Sequence, residues 1–187
     1  MDDGRWTIDD EVQTTKMDSL KSRIRSVPDF PKSGINFFDI TTLLKDKDGF
    51  RLTIEALVRP FENQKIDVVV GVESRGFILG GAVADRLGAG FAPVRKKGKL
   101  PSTTVQETYD LEYGTDALEI HNDGVAKGQR VLIVDDLLAT GGTARATRDL
   151  VQRLGGEVHA LAFLIELVAL NGRAKLAGEH VHAVLQY

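Results

Sequence analysis

Two adjacent carboxylates, Asp135 and Asp136, follow the apolar run Val131-Leu132-Ile133-Val134 and precede a small turn, Ala139-Thr140-Gly141-Gly142-Thr143. Ionised carboxylates accept hydrogen bonds from vicinal hydroxyls. A glycine-centred turn that opens a helix presents backbone amides, hydroxyls and the positive end of the helix dipole to an anion. Together these groups suit the hydroxyls and the phosphate of one sugar phosphate. By composition alone, the same Asp, Gly and Thr residues also serve any strand-to-helix turn as capping and turn residues. No Gly-x-x-x-x-Gly-Lys-Ser/Thr is present, which removes a Walker lysine, and no Gly-x-Gly-x-x-Gly opens a helix.

Four further stations carry chemistry-bearing residues. In Gly71-Val72-Glu73-Ser74-Arg75-Gly76 an apolar run again meets a helix start, where Ser74, Arg75 and the amides near Gly76 can hold a second anion. A capped helix with a surface arginine is the plainer reading of the same residues. Arg95-Lys96-Lys97-Gly98-Lys99 sets four cations in five residues, suited to a polyanion and equally to a solvated basic loop. Glu112-Tyr113 stands in a long polar segment, where a lone glutamate is ordinarily just solvated. Among Ile35-Asn36-Phe37-Phe38-Asp39, the paired aromatics read as one core residue and one partly buried neighbour. His180 and His182 alternate along an expected strand with His121 and His159 far away in sequence, so the histidines are read as structural or exposed, and direct protein ligation of a metal is expected nowhere.

The elements that must position these residues follow from periodicity. Apolar runs at Val68 to Val72, Gly90 to Val94, Val131 to Val134 and Val158 to Ile165 alternate with helical spacing at Gly76 to Leu87 and Ala144 to Leu154, and Val181 to Leu185 offers a further strand. That alternation predicts an α/β fold with a doubly wound, mainly parallel sheet and helices on both faces. In such sheets ligands bind at the carboxyl ends of the strands, where both acid-bearing stations stand. Residues 1–16 are polar and are expected to form a disordered lead. A helix is expected over Met17 to Ser26, ended by Val27-Pro28. A loop with a short strand is expected over Pro31 to Leu44, and an amphipathic helix from Asp48 to about Asn63, shortened by Pro60. Arg95 to Leu118 shows neither period and is expected to be either disordered or a functional lid.

Bulk properties exclude several classes. The 187 residues suit one well-buried domain, and a composition of 42% hydrophobic and 27% charged residues is that of an ordinary soluble protein. A formal charge of −3 argues against nucleic-acid binding, and no run is long enough to span a membrane. Zero cysteines remove thiolate catalysis and disulfides, and with no signal pattern at the start a cytoplasmic location is expected.

Set beside one another, the segments resemble a known family. Val131 to Thr143 looks like the phosphoribosyl pyrophosphate signature of type I phosphoribosyltransferases. Ile24-Arg25-Ser26-Val27-Pro28-Asp29-Phe30-Pro31, Glu73-Ser74-Arg75-Gly76-Phe77, Arg95-Lys96-Lys97-Gly98-Lys99-Leu100-Pro101 and Tyr109-Asp110-Leu111-Glu112-Tyr113-Gly114-Thr115 are similar to the adenine-specific branch. The resemblance runs from about Ile24 to Tyr187. It implies a single type I phosphoribosyltransferase domain over 17–187, with a small base-binding hood at about 17–45 and a flexible catalytic loop at about 96–116.

The implied reaction is transfer of a 5-phosphoribosyl group from phosphoribosyl pyrophosphate to adenine, giving AMP and pyrophosphate in purine salvage. The same chemistry on another purine is the alternative, or a transcription regulator that keeps the fold as a phosphoribosyl pyrophosphate sensor. Carried over residue by residue, the resemblance gives donor binding to Asp135, Asp136, Ala139, Thr140, Gly141, Gly142, Thr143, Ser74, Arg75, Arg95, Lys96 and Lys99. Lys97 is left as surface. It gives adenine binding to Asn36, Phe37, Phe38 and Arg75, and catalysis to Glu112, the acid/base, with Tyr113 helping to close the loop. Phe38 departs from the pattern, since relatives carry arginine or another polar residue there. The resemblance further implies a non-proline cis peptide between Glu73 and Ser74, Mg²⁺ bound with the pyrophosphate substrate, and a homodimer.

Overall fold

A computed structural model describes residues 8–110 and 115–187; side chains at 8–14, 110 and 115 are also left undescribed. The chain divides into two compact units, Met1–Ala56 and Leu57–Tyr187. The hood expected over about 17–45 is thus part of a larger unit that takes in most of the third helix.

In the first unit, helix α1 covers Ile8–Lys21 and strands β1 (Arg25–Val27) and β2 (Phe37–Asp39) pair antiparallel. Helices α2 (Thr41–Leu44) and α3 (Lys47–Val58) follow. Two expectations are corrected here. Residues 8–16 of the expected disordered lead are helical, and no glycine or proline interrupts the sequence from Ile8 to Lys21. The same helix stops at Lys21 rather than Ser26. Val27 precedes a proline and is pushed to extended backbone, and Arg25–Val27 continue that conformation as a strand. Residues 1–7 lie outside the described residues. Helix α3 ends at Val58 and tightens into a 3-10 turn, Arg59–Phe61, where Pro60 removes an amide donor.

The second unit is built on a seven-stranded sheet. Its strands are β3 (Val68–Val72), β4 (Gly90–Lys96), β5 (Thr104–Asp110), β6 (Thr115–His121), β7 (Arg130–Leu138), β8 (Glu157–Glu166) and β9 (Val181–Gln186), in the spatial order β5-β6-β4-β3-β7-β8-β9. The five strands β4, β3, β7, β8 and β9 run parallel, while β6 pairs antiparallel with both β4 and β5. Helices α4 (Arg75–Leu87) and α5 (Gly142–Arg153) connect parallel strands. Val68, Val70, Val131 and Ile133 pack in one core with Ala146, Leu150 and Val151 of α5. The alternate residue Val69 turns to the opposite face and approaches Gly80 of α4. Every residue of β3 is buried, as a central strand covered on both faces requires. The sheet is therefore doubly wound, and chain order reverses at β3, which has β4 on one side and β7 on the other.

The segment expected to be an irregular lid is mostly a hairpin. Strands β5 and β6 pair over seven residue pairs, from Thr104↔His121 to Asp110↔Thr115. Threonine, tyrosine and valine favour strands, and Tyr109, Leu118 and Ile120 are buried. Outward-facing polar residues mask that alternation in the sequence. Arg153 at the end of α5 donates to the Gln106 carbonyl at 2.6 Å and pairs with Glu107, fastening β5 to the helix.

Candidate active site

The reversal at β3 places the carboxyl ends of β3 and β7 side by side, with Gly71 opposite Val134 in register. A crevice at such a reversal is where an open α/β sheet accommodates a ligand. Here the cavity measures about 490 Å³, and its lining includes Ser74 and Arg75 after β3, Lys96 at the end of β4, and Asp135, Asp136 and Ala139 to Thr143 after the apolar part of β7. Ten of the twelve residues expected at the donor thus line one space. Arg95 and Lys99 are joined to it through Glu73, which also lines it.

Two helix starts converge on this cavity. The first turn of α5 has no side-chain cap, and Gly141 ahead of it adopts φ 77°, a left-handed conformation open to glycine at little cost. The first turn of α4 likewise has no side-chain cap, and the Glu73–Ser74 peptide preceding it is cis. Uncapped amides at two helix N-termini, backed by two dipoles, are groups that hold anions.

The charges in the cavity are paired with one another. Arg75 Nε donates to Asp136 Oδ2, linking the loop after β3 to the acid pair on β7. Asp135 accepts the Asp136 amide at 2.9 Å. Burial, and next the negative charge of Asp136, push the Asp135 carboxyl well above the usual carboxylate range. Glu73 receives Arg95 Nε at 2.9 Å and Lys99 Nζ at 2.6 Å. Burial works against ionisation of Glu73, but these two cations outweigh it and hold its carboxyl below the usual range. Lys96 pairs with Asp116 at 3.0 Å, an acid that also accepts the Tyr109 hydroxyl at 3.4 Å.

Glu73, Tyr109, Asp116 and Glu119 carry no role in the sequence reading. Glu119 is 2% exposed; its carboxylate accepts the amides of Lys99 and Leu100, both at 3.0 Å, and so fixes the basic segment after β4. Burial raises its carboxyl, and the amides of Leu100, Gly98 and Lys99 together bring it below the usual range. An acid flanked by Leu118 and Ile120 in an apolar strand was the available signal. Glu112 and Tyr113 lie outside the described residues.

Asn36, Phe37 and Phe38 belong to the first unit. Val27 faces Phe37 and Ser26 faces Phe38 across the β1–β2 pair. Phe30 meets the Phe37 ring edge-on, 5.2 Å between centroids, and the Ser26 hydroxyl donates to Asn36 Oδ1 at 2.7 Å. Asp39 ends the strand; hydrogen bonds from the Thr41 hydroxyl and amide, and then Arg25, lower its carboxyl to about 2. Away from the cavity, His159, His180 and His182 each stand 6.2 to 6.3 Å from the Phe61 ring. Among the described residues no group of three acids or histidines converges as a metal cage.

Residues 40–182 match the family model described as the phosphoribosyl transferase domain. The adenine phosphoribosyltransferase of Koribacter versatilis is 58% identical over 170 residues, covering 91% of this chain and 93% of that protein. The crystal structure of adenine phosphoribosyltransferase from Rhodothermus marinus superposes with a TM-score of 0.89 at 59% identity, covering 93% of this chain and 99% of that one. The Saccharomyces cerevisiae enzyme, solved with an imino-altritol bisphosphate and adenine, gives a TM-score of 0.87 at 40% identity over 92% of this chain and 99% of its own.

Proposed function

This chain belongs to the phosphoribosyl transferase family, and on that premise we propose that it is an adenine phosphoribosyltransferase, moving a 5-phosphoribosyl group from phosphoribosyl pyrophosphate to N9 of adenine. The observation that carries the donor half is the single cavity lined by the Asp135–Asp136 pair, the Ala139–Thr143 turn and the Ser74–Arg75 loop. Adenine as acceptor is supported by relatives of that name at 58% and 59% identity over most of their length.

In this reading the Ala139–Thr143 turn and the start of α5 hold the 5-phosphate, and that remote binding energy positions C1′ for attack. Asp135 and Asp136 accept the ribose hydroxyls. As the bond from C1′ to the pyrophosphate oxygen lengthens, positive charge grows on the sugar, and both carboxylates lie close enough to stabilise it. Ser74, Arg75, Arg95, Lys96 and Lys99 receive the pyrophosphate and its departing electron pair. Adenine, stacked on Phe37 and read at its edge by backbone near Asn36 and Phe38, forms the N9–C1′ bond. Glu112 takes the proton released from the imidazole ring, and Tyr113 helps to close the loop against water.

Magnesium suits this site as an ion delivered by the substrate. Pyrophosphate and ribose oxygens would supply its ligands, while the carboxylates of Asp135 and Asp136 on the cavity wall accept the ribose hydroxyls rather than the ion. When bound, the ion neutralises charge on the pyrophosphate. A cytoplasmic homodimer completes the reading, on family resemblance; no helix among the described residues is long and apolar enough to cross a membrane.

The test is incubation of the full chain with Mg²⁺, phosphoribosyl pyrophosphate and each purine in turn, followed by separation of nucleotides. AMP from adenine, well above any product from hypoxanthine, guanine or xanthine, is expected. No AMP from adenine overturns the proposal.

A further inference from the structure

The turn expected to hold the 5-phosphate is itself held from behind by a second turn, between β8 and β9. Gly141 and Gly172 meet backbone to backbone. A Cβ added to Gly141 would overlap the Gly172 carbonyl oxygen, and a Cβ added to Gly172 would overlap the Ala139 carbonyl oxygen and stand 3.1 Å from the Gly141 nitrogen. Each glycine leaves the space that the other's main chain occupies.

The second turn is anchored on three sides. Arg173 donates two parallel hydrogen bonds to Glu166, the last residue of β8, at 2.7 and 2.8 Å, and a third to the Val181 carbonyl, the first residue of β9, at 2.9 Å. Glu166 is 4% exposed and also accepts Gln186 at 3.1 Å, so the pair is fixed to both strands. Leu176, at the end of the Gly172–Leu176 3-10 turn, is buried in the core that contains Leu150 of α5. Asn171, at φ 51°, reverses the chain so that Gly172 arrives at the phosphate turn.

We infer that Gly172 is a positioning residue for the 5-phosphate turn, with Arg173 and Glu166 as the brace that presses it into place. The inference rests on the proposed donor site, since it concerns the same turn. Uncapped amides bind an anion well only when their directions are fixed in advance. The Ala139–Gly141 backbone carries no side chain large enough to fix itself by packing. A neighbouring main chain, set by a bidentate ion pair between exposed Arg173 and buried Glu166, supplies the missing support.

The test uses isothermal titration with ribose 5-phosphate, AMP and inorganic pyrophosphate on the full chain. In Gly172→Ala, affinity for ribose 5-phosphate and AMP is expected to fall at least tenfold, with pyrophosphate affinity within twofold of the parent. Gly128→Ala, where glycine has φ 78° with nothing within 4 Å of an added Cβ, adds backbone strain without a steric overlap and should leave both affinities unchanged. Should Gly172→Ala not fold, Arg173→Met is measured instead and is expected to show the same selective loss, with Arg173→Lys recovering part of it. Ribose 5-phosphate affinity within twofold of the parent, or an equal loss for pyrophosphate, overturns the inference. Failure of the parent chain to bind ribose 5-phosphate at all overturns the donor site itself, a separate result.

Discussion

Arg75 donates to the Asp136 carboxylate, so the loop after β3 and the acid pair on β7 are tied by one ion pair across the cavity. The partners are 61 residues apart in sequence, and Asp136 is 7% exposed. Replacing Asp136 by Asn keeps the shape but removes the charge that Arg75 uses and that is proposed to accept a ribose hydroxyl. Hydrogen bonds to charged groups contribute about 1.5–3 kcal/mol. Asp136→Asn is therefore expected to lower kcat/KM for phosphoribosyl pyrophosphate by about 10- to 150-fold in steady-state assays. A change under threefold would remove Asp136 from the donor site.

Asp135 leads to a prediction of opposite sign for stability. Its carboxyl is raised in the folded chain by burial and by Asp136, so the folded state binds the proton more tightly than the unfolded one. Stability then falls as pH climbs from the ordinary carboxylate value towards the raised one. Asp135→Asn is expected to raise the melting temperature at pH 7, by about 2–4 °C for each kcal/mol recovered, and to give little gain near pH 4. Ligand-free thermal melts at both pH values test this; an equal shift at each would show that the effect is not ionisation. Activity should fall in the same variant.

Phe37 is expected to act on adenine alone. Stacking a base on an aromatic ring contributes about 1–3 kcal/mol, so Phe37→Ala should raise KM for adenine about 5- to 150-fold and leave KM for phosphoribosyl pyrophosphate within twofold. If Phe38, in the same strand, contributes backbone alone as proposed, Phe38→Arg should move the adenine KM by less than threefold. A larger change would mean that the phenyl side chain itself reads the base.

Glu112 is assigned by resemblance and lies outside the described residues. General acid/base catalysis supplies about 10²- to 10⁴-fold. Glu112→Ala should lower kcat by that factor with small changes in either KM, and a loss under tenfold would refute proton transfer by this residue.

The central strands and helices α4 and α5 were legible because each leaves a strong local period. Val68 to Val72 is apolar throughout, and α5 combines a helical apolar face with a glycine start. The β5–β6 hairpin was not legible. Its strands lie at the sheet edge, where Gln106 and Thr108 face outwards and dilute the alternation carried by Val105 and Tyr109. Asp135 and Asp136 announced themselves by adjacency. Glu73, quoted within its motif, showed no role, because its partners Arg95 and Lys99 are 22 and 26 residues away and only the sheet brings them within reach. Gly172 was silent for a deeper reason. What it contributes is main chain, which every residue type possesses, and its signature is the lack of a side chain.

The pairing of Arg75 with Asp136, Lys96 with Asp116, and Arg95 and Lys99 with Glu73 makes the pocket an ion exchanger. An arriving anion gains only the difference between its own pairing and that of the carboxylate it displaces. Chloride or a single phosphate offers little over a carboxylate. Pyrophosphate presents several charged oxygens on one molecule, so displacing one carboxylate brings the next exchange within reach, as in any multivalent ligand. Selection by valence of this kind keeps the pocket from filling with the monovalent salts that surround it.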